Sequence, residues 1–112
     1  MLRRSALAGF LLALTACAGP DDPGAPVTYC EAEPIFQESC VRCHHTDPEY
    51  GAPMSLETYD DVKRYQGMIK SAVQTEFMPY TSSAIEPPVE PLSSMEKSIL
   101  IDWVDDGGLD CE

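Results

Sequence analysis

The chain is short and acidic: 112 residues, with 19 Asp and Glu against 7 Lys and Arg, for a formal charge of -12. Its length allows one small domain. The charge argues against nucleic acid and anionic membrane surfaces, which need a basic face, and leaves solubility or a basic protein surface as its use.

The N-terminus reads as an export signal. Met1-Leu2-Arg3-Arg4 is a cationic start, and Ala6 to Ala16 is an apolar run too short to span a bilayer. Leu14-Thr15-Ala16-Cys17 resembles the lipobox of bacterial lipoproteins, in which the cysteine is lipidated and becomes the first mature residue. Ala16-Cys17-Ala18 also fits ordinary signal cleavage, which would discard Cys17. In either case the mature chain is expected outside the cytoplasm, where disulfides form. Ala18 to Thr28 is rich in Pro, Gly and Asp and reads as a flexible tether, with a reach on the order of 20 Å. The expected organisation is a signal peptide over 1–16, a lipidated cysteine and tether over 17–28, and one folded domain over 29–112.

Within that domain, Pro34 to His44 is predicted as the first helix. Proline suits the first helical position, and Phe36, Cys40 and Cys43 share one face. His45 to Ser55 is a loop, and Tyr59 to Tyr65 and Gly67 to Val73 are short helical candidates. Phe77 to Pro91 contains Pro79, Pro87, Pro88 and Pro91 and reads as a long irregular loop. The last helix opens on a capping box, Ser93 with Glu96, and Gly107-Gly108 ends it. Met95, Ile99, Leu100, Trp103 and Val104 form its apolar stripe. Trp103, Phe36 and Ile99 read as core. No run alternates as a strand does, so the fold class is all-α. A domain this small needs a staple or a bound group to complete its interior.

The stretch Cys40-Val41-Arg42-Cys43-His44-His45 carries the chemistry. In a helix, Cys40, Cys43 and His44 would lie along one side of a turn. C-x-x-C-H is the attachment signature of c-type haem, with thioethers from the two thiols and iron ligation by the histidine. Zinc is a rival, but a structural site wants four ligands, and only the distant Cys30 and Cys111 could complete one. A redox disulfide is a second rival, but that motif belongs with strands. The odd count of five cysteines fits the first reading. With Cys17 assigned to lipid and Cys40 and Cys43 to the motif, Cys30 and Cys111 remain, one near each end of the folded region.

The iron of such a haem takes a sixth ligand or stays open. Met54, Met68, Met78, Met95 and His45 are the candidates. His45 is adjacent to the proximal ligand and badly placed to reach the other face. Met78, in Phe77-Met78-Pro79, opens the proline-rich loop and is preferred; its alternative role is a loop anchor packed into the core.

The order C-x-x-C-H, then M-P, then a capped helix ending W-V-x-x-G-G resembles a small monohaem cytochrome c of the His/Met type, in the exported or lipoprotein form found in bacteria. The resemblance runs from about Tyr29 to Gly108. It implies a helical fold around one covalent haem c, with Cys40 and Cys43 as thioether anchors, His44 as proximal ligand and Met78 as distal ligand. It also packs the first helix against the last, which would bring Cys30 and Cys111 together as a disulfide; two unrelated cysteines is the alternative. Tyr59, Tyr65 and Arg42 are candidates to meet the haem propionates, with solvated or packed roles equally open. The implied function is one-electron transfer, not enzymatic turnover, by a carrier lipid-anchored to a membrane and facing the periplasm. Its partners would be redox proteins at that membrane, with no small-molecule substrate. The alternatives are a haem sensor or peroxidase-like protein with a labile distal ligand, and a stapled lipoprotein without redox chemistry.

Overall fold

The computed structural model describes residues 24–82 and 84–111. The signal peptide, Cys17 and the start of the tether lie outside the described residues. The architecture is four helices, α1 (Tyr29–Ser39), α2 (Tyr59–Arg64), α3 (Gln66–Gln74) and α4 (Ser94–Asp105), with no named strand among the described residues. One isolated parallel bridge pairs Thr28 with Leu109. None of these helices is long and apolar enough to cross a membrane.

The first helix departs from the sequence expectation. It starts at Tyr29 and ends before Cys40, so Pro34 sits inside it rather than at its first position. The start is set by Thr28 and Glu31, whose carboxylate accepts the Thr28 backbone N–H at 2.6 Å. Pro34 is tolerated at the cost of one main-chain bond, the one its missing N–H would have made to the Cys30 carbonyl. Just before α1, Val27 donates its N–H to Asp106 Oδ2 at 2.8 Å and packs against the core.

The short helices fall where their caps put them. Thr58 accepts the Asp61 N–H at 3.2 Å to open α2, and Tyr65 separates α2 from α3. Ser93 Oγ accepts the Glu96 N–H at 3.1 Å, and Glu96 returns the bond to the Ser93 N–H at 2.9 Å. At the far end of α4, Gly108 donates to the Trp103 carbonyl at 2.8 Å and Gly107 to the Val104 carbonyl at 3.0 Å, which closes a Schellman motif. Gly108 has φ 63, a conformation that strains other L residues, and a Cβ there would also displace the Gln66 side-chain end, 2.5 Å away.

Helix α4 packs against both α1 and α3. The centre is Phe36 of α1 against Trp103 of α4, ring centroids 5.6 Å apart and edge-on. Both rings are fully buried, with Leu100 and Val62 beside them. Large side chains so buried contribute about 1.5–3 kcal/mol each. Tyr29 and Tyr59 extend the cluster at 5.3 Å. Met95 does not join it. The sequence stripe places it below Ile99, yet it is 73% exposed, while Leu100 and Trp103 further along α4 are fully buried.

The segment after α4 gathers the chain ends. The Leu109 carbonyl accepts from the Tyr29 N–H at 2.8 Å and from Trp103 Nε1 at 3.0 Å. The Tyr59 hydroxyl donates to the Gly108 carbonyl at 2.7 Å. Two residues on, Cys111 meets Cys30 of α1 with their sulfurs at bonding distance and their Cα atoms 5.2 Å apart.

Candidate functional site

The motif sits on the tight turn that follows α1, not on the helix itself. Cys40 and Val41 both donate to the Phe36 carbonyl at 2.9 Å, which ends α1. The Cys40 carbonyl then accepts from Cys43 at 3.2 Å and from His44 at 3.0 Å. One turn of main chain therefore holds Cys40, Cys43 and His44 together, the grouping expected of a helix but made by a cap. Because Cys40 follows directly from the buried face of Phe36, it packs against the core.

Both motif cysteines are free thiols. Burial, with a smaller contribution from Cys43, pushes the Cys40 thiol up to about 12, although part of the residue reaches solvent. A thiol so held is a poor redox nucleophile at neutral pH, where thiolate is the reactive form. The zinc reading also loses its outside donors, since Cys30 and Cys111 face each other. Among the described residues no three His, Cys, Asp or Glu side chains converge as a metal site.

His44 is the one buried polar side chain among the described residues, at 8% exposure. Its Nδ1 lies 2.9 Å from the Met54 carbonyl. A carbonyl only accepts, so Nδ1 carries the proton, and in the neutral ring Nε2 keeps its lone pair. That tautomer suits a metal ligand whose orientation is fixed by a bond behind it. The loop from 45 to 55 brings the Met54 carbonyl to this contact. Leu56 donates back to the His44 carbonyl at 2.6 Å, and Leu56 is buried. Glu57 ties the loop from outside, accepting from the Thr46 N–H at 2.9 Å and from the Thr46 hydroxyl.

Those Thr46 bonds, the hydroxyl first, hold the exposed Glu57 carboxyl below its ordinary range. A depressed carboxyl stabilises above its unfolded pKa, and the contribution is lost as pH falls through the folded value. Acidification below about pH 4, or Glu57→Gln at neutral pH, is therefore expected to lower the protection of the Thr46 and Leu56 amides, each exchange rate taken relative to the intrinsic rate at the same pH. Protection at those amides that ignores both changes would show that the tie does not hold the loop.

Met78 follows α3, its N–H on the Ala72 carbonyl at 3.2 Å. Its side chain is half-buried and outside the core cluster, whereas Met54 packs against that cluster. Met68 and Met95 are mostly exposed. His45 faces outward, 3.8 Å from Glu49. The proline-rich loop comes alongside the motif: Arg42 shares a groove of about 260 Å³ with Glu38, Pro88, Val89, Glu90 and Glu96. Of the three residues considered for propionates, Tyr59 gives its hydroxyl to Gly108 and Tyr65 packs against the core. Arg42 makes no ion pair among the described residues.

Sequence reasoning missed the Met54 carbonyl, Leu56 and the Thr46–Glu57 tie. The first two act through main chain and leave no side-chain signature. The third joins residues eleven apart, a spacing that marks no motif. No family model, curated protein or solved structure matches the chain.

Proposed function

We propose that the chain carries one covalently attached haem c and passes single electrons between membrane-associated partners on the periplasmic side. The observation that carries this reading is His44: buried, with Nδ1 bonded to the Met54 carbonyl and Nε2 bare, one turn from two free thiols. The donor chemistry fits the group. Cys40 and Cys43 would each add a thiol across a vinyl group, with the proton moving to the neighbouring carbon. His44 Nε2 would hold the iron from one side, and Met78, free of a core role, from the other. Haem so ligated supplies a reversible one-electron couple, raised by the Met/His pair. The Met54 carbonyl keeps the imidazole oriented, and an iron held by both His44 and Met78 would have no position left for a substrate, which suits a carrier.

Acid–organic extraction of the exported protein is expected to leave the haem on the chain, with one haem per protein by mass spectrometry. Cys40→Ala or Cys43→Ala should weaken the attachment. A colourless protein from a host competent in haem attachment would end the reading, in favour of a stapled lipoprotein.

Lipidation of Cys17 is part of the same proposal and supplies the membrane anchor. It is supported by the lipobox-like Leu14-Thr15-Ala16-Cys17. Cys17→Ser should move the protein to the soluble fraction. An unmutated protein that is already soluble, with a mature start at Gly19, would show ordinary cleavage instead.

A further inference from the structure

The carbonyl that fixes His44 is itself held from its far side. It belongs to the Met54–Ser55 peptide, a planar unit, so whatever fixes Ser55 aims the carbonyl. The Ser55 hydroxyl donates to Asp61 Oδ2 at 3.1 Å and accepts the Glu57 N–H at 3.3 Å. Capping alone does not require the first of these bonds. Asp61 Oδ2 also takes the Thr58 N–H at 3.3 Å, and the Asp61 N–H goes to Thr58 Oγ1 at 3.2 Å, which completes the box that opens α2. Burial works to raise the Asp61 carboxyl, but the bonds it accepts from Thr58 and Ser55 outweigh that and hold it below its ordinary range, as a charged acceptor. Helix α2 is a firm base: Val62 is fully buried, and the Tyr59 hydroxyl is bonded to the Gly108 carbonyl at 2.7 Å. On the other side of Ser55, the Leu56 N–H reaches the His44 carbonyl at 2.6 Å. The Thr46–Glu57 tie closes the neck of the loop, whereas Ser55 acts on the acceptor itself.

We infer that Ser55 and Asp61 are positioning residues for His44: Asp61, carried on α2, holds the Ser55 hydroxyl, and Ser55 aims the Met54 carbonyl at Nδ1. A charged acceptor makes the first bond of this chain a strong one. The consequence for iron rests on the proposed electron-carrier reading. A firm bond at Nδ1 makes the imidazole a stronger donor and favours ferric iron, so loosening it should raise the reduction potential.

The full exported chain, isotopically labelled in histidine, tests this by NMR. Its two histidines carry their ring protons on opposite nitrogens. His45 Nδ1 accepts the Asp47 N–H at 3.3 Å, so the neutral ring is protonated at Nε2 and serves as an internal control. Ser55→Ala should speed solvent exchange of the His44 Nδ1–H roughly fivefold, the equilibrium factor for one ordinary hydrogen bond, and raise the potential of the haem-loaded protein. The His45 signals and the protection of the Leu56 amide should not change. Ser55→Thr, which keeps the hydroxyl, should match the parent. Asp61→Asn, which keeps an acceptor but not its charge, should move both readouts the same way by less, and it carries the test if Ser55→Ala does not fold. Unchanged Nδ1–H exchange overturns the inference, and so does an unchanged potential in the haem-loaded protein. Loss of Leu56 protection in step with the Nδ1–H also overturns it, since Ser55 would then only brace the loop. If the exported protein carries no haem, the electron-carrier reading fails by itself. The positioning then stands if the unloaded His44 is protonated at Nδ1 in the parent and gains the Nε2-protonated form in Ser55→Ala, and falls if it does not.

Discussion

Opening the Cys30–Cys111 link, by reductant or as Cys30→Ser/Cys111→Ser, is expected to lower the unfolding free energy by about 4–5 kcal/mol. The link spans 81 residues, and on the chain-entropy account a loop of that length loses this much freedom in the unfolded state. Small domains hold only about 5–15 kcal/mol in total, so the loss removes a large share of it. The native side of the balance points the same way. Cys111 continues the segment whose Leu109 carbonyl receives Tyr29 and Trp103, and Cys30 is the second residue of α1. Opening the link frees both ends of the chain where α1 and α4 meet. Urea titration with and without reductant measures the effect as a lower midpoint, with a steeper slope because the opened chain unfolds to a more expanded state. Two alkylatable thiols at Cys30 and Cys111 in denatured, unreduced protein would remove the basis for the prediction.

What the sequence revealed was local, and what it concealed depended on contacts. Ser93, Glu96 and the Gly107-Gly108 stop mark α4 because a cap is written within a few residues. The same kind of box, Thr28 with Glu31, opens α1 and was overlooked because Pro34, with Ile35 and Phe36 after it, looks like a helix start. That error moved the helix by one and a half turns and put the motif on it. The grouping of Cys40, Cys43 and His44 survived, because a cap followed by one turn of main chain keeps the same neighbours together. Met95 shows the converse failure: its spacing from Ile99 is right for a buried stripe, but a stripe is buried only where a partner helix extends over it. The bond that fixes His44 was unreadable in principle, since any residue at position 54 offers the same carbonyl.

On the proposed haem reading, Met78→Ala is expected to change the iron chemistry more than any other single methionine substitution. A thioether is a soft, neutral donor that favours ferrous iron, so its loss should lower the reduction potential by on the order of 0.1 V, within the roughly 0.8 V range that axial ligands command. The same change should open the iron to carbon monoxide and raise peroxidase turnover. The other methionines are matched controls. Met68 and Met95 are largely exposed, and truncating either should leave coordination alone. Met54 packs against the core, so Met54→Ala should cost stability, yet its main-chain carbonyl stays to hold His44 and the proximal ligand should be unaffected. His45→Ala should likewise keep the ligand set, since that ring faces Glu49. Near-infrared magnetic circular dichroism, or the shifted methyl signal of a bound methionine in NMR, reads the ligand directly. If that signal is present in the parent, survives Met78→Ala and disappears in another methionine variant, the distal ligand is that other residue. If the parent gives no sulfur signal at all, its iron has an open or labile position, and the sensor or peroxidase-like alternative replaces the pure electron carrier.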